Sequence, residues 1–224
     1  MKTKICVSLK SGSVEGMAEK AEKALKLGAD LVEFRLDYLG AIPENYPEKL
    51  VSRFGERAVF TLRPSWEGGE YKGGEDERTR ILMEIAEHNP AYIDLELKMS
   101  NLEETLRKII NHCEVILSWH NFRGTPSQEE LRNIVSKAIN LGGLAKVVTF
   151  ARGFSDNLRV LRLYNEFPSE RLVAFTMGEV GIVSRILSPI LGAPIAYACL
   201  PGESVAPGQL TIQELREALR IVGH

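Results

Sequence analysis

Lys146 is the residue whose surroundings point most directly to chemistry. It stands in the run Leu144, Ala145, Lys146, Val147, Val148, Thr149, Phe150, so its sequence neighbours are almost all apolar. Burial disfavours the charged form of an amine, and an uncharged amine attacks a carbonyl to give a Schiff base. The plainer alternative is a lysine whose stem packs while its ammonium reaches water, as is expected of Lys4. His120 follows a second apolar run, Val115 to Trp119. An imidazole titrates near neutrality, so at that position it can take and return a proton, although a purely structural histidine fits the same pattern. His88, His112 and His224 fall near helix ends or the terminus and read as solvated. No two histidines have metal-ligand spacing, so neither a metal nor a cofactor is expected.

Other polar residues interrupt or follow apolar runs. Ser8 lies in the first, and Glu33 and Arg35 share parity in the second, so both point to one side. They either pair with each other or bind a polyhydroxylated ligand, because two charges in an apolar interior need partners. Arg63 ends the third run and leads to Glu67, Gly68 and Gly69; Asp94 and Glu96 lie in the fourth. After Met177, the stretch Gly178 to Arg185 resembles a turn opening a helix, whose free amides and arginine suit an anion. A cap with a solvated arginine is the alternative. The charged, glycine-rich stretch Glu70 to Glu77 fits a mobile lid better than a phosphate cradle.

Short apolar runs recur about every 28 residues, with amphipathic stretches between most of them. They are Ile5 to Leu9, Leu31 to Leu36, Ala58 to Leu62, Ala91 to Leu95, Val115 to Trp119, Ala145 to Phe150, Leu172 to Thr176 and Ile195 to Cys199. Nearly continuous apolar runs are how strands buried on both faces of a parallel sheet read. Capping boxes are expected at Ser100 with Glu103, at Thr125 with Gln128 (Pro126 at the first helical position), and at Thr211 with Glu214. Gly28 and Gly142 sit where helix C-cap glycines belong. Eight strand-helix units without a long insertion favour one closed (β/α)8 TIM barrel spanning residues 1–224 over an open doubly wound sheet. In such barrels functional groups gather at the C-terminal ends of the strands.

The formal charge of −2 supplies no general field for nucleic acid or an anionic membrane. Cys6, Cys113 and Cys199 are too few and too scattered for a zinc ribbon or redox motif, which fits a reducing, cytoplasmic setting. Residues 1–9 carry no long apolar segment, so no secretory signal is expected. Ile186 to Leu200 is too short to span a bilayer and is interrupted by Pro189, Gly192 and Pro194.

Taken together, six segments resemble the type I 3-dehydroquinate dehydratases of the shikimate pathway. They are Val32-Glu33-Phe34-Arg35-Leu36-Asp37, Thr61-Leu62-Arg63 with Glu67-Gly68-Gly69, Ser118-Trp119-His120-Asn121-Phe122, Ala145-Lys146-Val147, Met177-Gly178 with Ser184-Arg185, and Ala206-Pro207-Gly208-Gln209. The resemblance covers essentially the whole chain. It implies a lyase in which Lys146 condenses with the C3 ketone of 3-dehydroquinate, His120 acts as general base and then acid, and Glu67 orients the imidazole. It further implies Arg185 and Gln209 on the substrate carboxylate, Glu33, Arg35 and Arg63 on ring hydroxyls, Ser8 as a ligand contact, and Met177 and Tyr197 as apolar walls. A homodimer is implied as well. Two features depart from the family pattern. Val205, preceded by Ser204, stands where a small hydroxyl residue is usual, and the chain enters its first strand at Lys4 without an extended segment to plug the barrel bottom.

Two other functions fit parts of the pattern. A class I aldolase or transaldolase-like barrel also carries a Schiff-base lysine on strand six, but His120 and the carboxylate-binding groups favour the dehydratase. A non-catalytic barrel that binds a polyol acid would keep Lys146 protonated and paired with Asp94 or Glu96.

Overall fold

The computed structural model describes residues 3–40, 42 and 46–223. Among them, eight strands alternate with eight α-helices: β1 (Lys4–Leu9), α1 (Val14–Lys26), β2 (Leu31–Arg35), α2 (Tyr46–Phe54), β3 (Ala58–Thr61), α3 (Glu75–Ala86), β4 (Tyr92–Glu96), α4 (Leu102–Ile109), β5 (Glu114–Asn121), α5 (Gln128–Asn140), β6 (Leu144–Phe150), α6 (Phe154–Leu161), β7 (Leu172–Met177), α7 (Ile182–Ile190), β8 (Ile195–Ala198) and α8 (Ile212–Ile221). All paired strands are parallel, in the order β7-β6-β5-β4-β3-β2-β1-β8. The sheet curls into a nearly closed TIM barrel. At the seam, the loops that follow β7 and β8 meet directly, with Gly178 N donating to Pro207 O at 3.1 Å. Gly208 there has φ +69°, and a Cβ on it would lie 2.3 Å from Gly178 O, so only glycine fits.

Strand residues of one parity face the helices; those of the other face the barrel axis. The outward set, including Val7, Val32, Phe34, Phe60, Leu117 and Val147, packs against helix stripes such as Val14, Met17, Ala21 and Ala24 of α1. That spacing places the stripe on one side of the helix. The inward apolar set, including Cys6, Leu31, Val59, Ile116 and Ile195, fills the barrel below the polar residues. At the N-terminal end of the strands, Tyr92 and Leu144 pack onto this layer, and the Lys4 ammonium lies 5.7 Å from the Tyr92 ring centroid.

Helix ends follow the sequence only in part. Thr211 and Glu214 form a reciprocal capping box at α8. Gly28 and Gly142 close α1 and α5 with φ of +95° and +94°. The N-cap of α5, however, is Ser127, because the Thr125 hydroxyl is taken by Thr149 Oγ1 at 2.8 Å and Phe150 O at 3.1 Å. Pro126 therefore precedes the helix instead of opening it. Likewise α4 starts after Asn101 with no side-chain cap, not at a Ser100–Glu103 box. Among the described residues, no helix is long and apolar enough to cross a membrane.

Candidate active site

One cavity of about 60 Å³ opens at the C-terminal ends of the strands. Ser8, Glu33, Arg35, Arg63, Glu67, His120, Lys146, Met177, Arg185, Tyr197 and Gln209 all line it, so every site residue expected from the sequence converges there. A larger cavity of about 750 Å³, beside Tyr38 and Tyr71, includes none of them. Convergence follows from parity: each of these strand residues is on the inward face, and each strand ends at the same rim.

Lys146 is 4% exposed, but its surroundings are not apolar. Its neighbours Ala145 and Val147 point outward into the helix layer. Across the barrel, Nζ donates to Asp94 Oδ2 at 3.0 Å and to Glu33 Oε1 at 3.5 Å, and it stands 4.0 Å from the Tyr197 ring centroid. Two carboxylates and an aromatic face therefore fix the direction of the amine. Burial opposes ionisation of Glu33, yet Lys146 and Arg35 outweigh it and hold that carboxyl below its usual range. For Asp94, burial is likewise outweighed, here by Arg63 and Lys146.

Arg63 sits at the centre of this layer. Nη1 donates to Glu96 Oε1 and to Ser118 Oγ, both at 2.7 Å, and Nη2 to Asp94 Oδ1 at 2.9 Å. Ser118 Oγ in turn donates to Asp94 Oδ1 at 2.5 Å. Paired charges of this kind satisfy one another in a low-dielectric interior, where a single charge would be costly.

His120 is held by Glu67, which sits on the short turn after β3. Glu67 Oε1 accepts from the backbone N–H of His120 and faces Nδ1, each at 3.0 Å. An oxygen that already accepts from a backbone amide, with Arg63 Nη1 at 3.7 Å, takes the Nδ1 hydrogen as well. Nε2 is then the nitrogen left to act as a base. Burial drives the imidazole well below its ordinary pKa, and Arg63 and Lys146 add to the effect, so the ring is neutral. Burial also pushes Glu67 up to about 8, partly offset by Arg63; its Oε2 is buried without a hydrogen-bond partner.

Arg185, on α7, differs from the other cations in the cavity. Among the described residues no carboxylate pairs with it. Nη2 reaches Pro207 O at 3.2 Å, Nε is buried without a partner, and the guanidinium lies 4.6 Å from the Phe175 ring centroid. Burial lowers its pKa to about 10, which still leaves it charged at neutral pH. A buried, uncompensated cation with a free donor is a site for an anion. Arg35, by contrast, forks onto Asp37 through Nε and Nη2 at 2.8 and 2.7 Å, and does not pair with Glu33. Glu33 instead accepts from Thr61 Oγ1 at 2.9 Å.

Gln209 ties the β8–α8 loop together: its Nε2 donates to Ala198 O at 3.0 Å and lies 3.4 Å from Ser8 Oγ, and its Oε1 accepts from Val205 N at 3.0 Å. Val205 lines the cavity, whereas the Ser204 hydroxyl turns to Ala206 O at 2.8 Å. No hydroxyl from either reaches the cavity. Met177 and Tyr197 are buried in its wall, and the Tyr197 hydroxyl has no hydrogen-bond partner. Phe122, given no role in the sequence, covers Gly68 so closely that a Cβ there would meet its ring at 2.3 Å. Among the described residues, no group of three or more His, Cys, Asp or Glu is arranged to hold a metal ion.

Comparisons with known proteins identify the family. The family model for type I 3-dehydroquinase matches residues 5–224. The 3-dehydroquinate dehydratase of Methanopyrus kandleri is 41% identical over 224 residues, covering 98% of this chain and 100% of that protein. That of Methanocaldococcus jannaschii is 36% identical over 221 residues, covering 97% and 98%. The crystal structure of the 3-dehydroquinate dehydratase from Geobacillus kaustophilus superposes with a TM-score of 0.90 at 26% identity, over 99% of this chain and 91% of that one. The chain therefore belongs to the type I 3-dehydroquinase family, and it is an enzyme of the lyase class.

Proposed function

We propose that this enzyme dehydrates 3-dehydroquinate to 3-dehydroshikimate through an imine on Lys146. The observation that carries the reading is the convergence of Lys146 and a neutral His120 on one cavity. They stand on adjacent strands, with Ser118 paired to Lys146 and His120 to Val148 in the β5–β6 register. An amine nucleophile and a base are thus two residues apart along one side of the barrel.

Asp94 and Glu33 aim the amine of Lys146, and His120, on the adjacent strand, serves the proton transfers that make and break the imine as the free amine attacks the C3 ketone. Water leaves, and the resulting iminium withdraws electrons and acidifies the C2 protons. Nε2 of His120 takes one of them. The imidazolium then returns that proton to the departing C1 hydroxyl, so the second water lost is the one counted in the overall dehydration. Addition of water to the product imine regenerates Lys146 and releases the conjugated ketone. Glu67 holds the imidazole with Nδ1 protonated throughout. Arg185 receives the substrate carboxylate, a guanidinium being suited to bind both oxygens. Glu33, Arg35, Arg63, Ser8 and Gln209 surround the ring hydroxyls and the carboxylate, with Met177 and Tyr197 as walls.

The Lys146–Asp94 contact also suits a barrel that merely binds a polyol acid. Turnover separates the two. Addition of 3-dehydroquinate should produce the ultraviolet absorbance of a conjugated enone, and a panel of sugar phosphates should give no carbon–carbon cleavage. Cleavage of a sugar phosphate, or no enone, would reject the dehydratase reading.

A further inference from the structure

We propose that Arg78, outside the cavity at the start of α3, is a positioning residue for the Schiff-base lysine, acting through Glu96, Arg63 and Asp94. The inference rests on the imine reading above. Nothing in the local sequence marks Arg78: it falls in the charged stretch Glu75-Asp76-Glu77-Arg78-Thr79-Arg80, which reads as a solvated helix start. In the structure it is fully buried. It heads the buried stripe Arg78, Ile81, Leu82, Ile85, which fixes its backbone against the barrel.

Its guanidinium makes contacts in two directions. Outward, Nη2 and Nε fork onto Glu75 at 2.6 and 3.2 Å. Inward, Nη1 donates to Glu96 Oε2 at 2.5 Å and to Leu62 O at 3.3 Å. Glu96 Oε1 holds Arg63, Arg63 holds Asp94, and Asp94 holds Lys146. Charges thus alternate from Glu75 through Arg78, Glu96, Arg63 and Asp94 to Lys146, and every member inward of Glu75 is under 5% exposed. Arg78 also grips the carbonyl immediately before Arg63, so it constrains that residue through both its backbone and its carboxylate partner.

Arg63 divides its donors between Glu96 and Asp94. Burial raises the Glu96 pKa, with Arg63 and Arg78 opposing it. Without Arg78, Glu96 either draws Arg63 away from Asp94 or takes up a proton and releases Arg63 toward Asp94 and Glu67. Either way, the carboxylate that aims the amine of Lys146 changes its partners. The substrate carboxylate site at Arg185 lies on the other side of the cavity and shares no contact with this chain of charges. Attack geometry should therefore suffer more than substrate binding.

The test compares Arg78→Met, Arg78→Lys and the double variant Arg78→Met with Glu96→Gln, each checked for a native near-ultraviolet circular dichroism spectrum. For Arg78→Met, kcat and the rate of borohydride-trapped adduct formation with 3-dehydroquinate should fall about 10- to 100-fold, while KM changes by less than about threefold. Arg78→Lys should keep most of the rate. The double variant should recover at least part of it, because one buried charge of each sign has been removed. If Arg78→Met does not fold, the double variant is compared with Glu96→Gln alone: equal trapping rates support a role exercised through Glu96, and a further loss overturns it. An unchanged trapping rate in Arg78→Met, or a loss that Arg78→Lys and the double variant both share, would overturn the inference. Wild-type enzyme that traps no adduct at all would instead overturn the imine reading on which it rests.

Discussion

Glu67 Oε1 holds His120 twice, at the backbone N–H and at ring Nδ1, each at 3.0 Å. One oxygen thereby fixes both the position and the tautomer of the imidazole. Its partner Oε2 is buried and unbonded, so the carboxyl keeps its proton up to about 8, against an ordinary value of 4.5.

That raised value makes stability depend on pH. The folded chain binds the Glu67 proton more tightly than the unfolded chain, so this contribution is complete below about 4.5 and disappears as pH rises through about 8. His120 acts in the opposite sense. Its lowered value contributes stability above its unfolded 6.5, and that is lost as pH falls further. Glu67→Gln keeps an oxygen for His120 and removes the alkaline loss. Its Tm relative to wild type should rise steadily from about pH 5 to about pH 9. A difference independent of pH would contradict the assignment of that proton to Glu67.

Removal of the base should separate imine formation from proton abstraction. His120→Ala is expected to form the imine slowly and accumulate it, with kcat lower by about 10²- to 10⁴-fold. Borohydride quenching of the variant in the presence of 3-dehydroquinate, followed by mass spectrometry, should show the reduced imine accumulating on Lys146. Normal turnover would exclude His120 as the base.

Arg185 carries a buried charge that no side chain among the described residues balances. Arg185→Met should therefore leave Tm unchanged or raise it, because an uncompensated charge is costly to bury. Binding should suffer, since a hydrogen bond to a charged group contributes about 1.5–3 kcal/mol, which corresponds to a KM about 10- to 150-fold higher. A variant with lower stability and unaltered KM would remove Arg185 from the carboxylate site.

The Tyr197 hydroxyl is buried without a partner, a costly arrangement for a polar group. If only the ring matters, as the wall beside the Lys146 amine, Tyr197→Phe should be at least as stable as wild type and keep its kcat. A large loss of kcat would give the hydroxyl a part in the reaction.

How far the sequence could be read depended on whether a residue's partners were near it in the chain. The eight apolar runs locate the eight strands because a doubly buried parallel strand writes its own signature in four to eight residues. Polar residues at inward parity were legible for the same reason: Glu33, Lys146 and His120 interrupt or end runs that are otherwise apolar. Lys146 shows the limit. Its sequence neighbours face the helices, while Asp94 and Glu33, which aim its amine, come from strands across the barrel. Arg78 shows it again, since a buried arginine within a charged helix start looks the same as a solvated one. Thr125 failed as a cap because Thr149 and Phe150 supply tertiary partners that local pattern does not contain. Gly208 was legible only as part of a motif; its reason, the 2.3 Å a Cβ would leave to Gly178 O, appears when β7 and β8 are side by side.

The most direct measurement is reduction with borohydride in the presence of 3-dehydroquinate, followed by peptide mapping. A stable adduct with the mass of the reduced imine should appear on the peptide that contains Lys146, and Lys146→Ala should show neither adduct nor turnover while retaining some affinity for the ligand. Turnover by Lys146→Ala, or an adduct on any other lysine, would contradict the placement of the reaction at this residue.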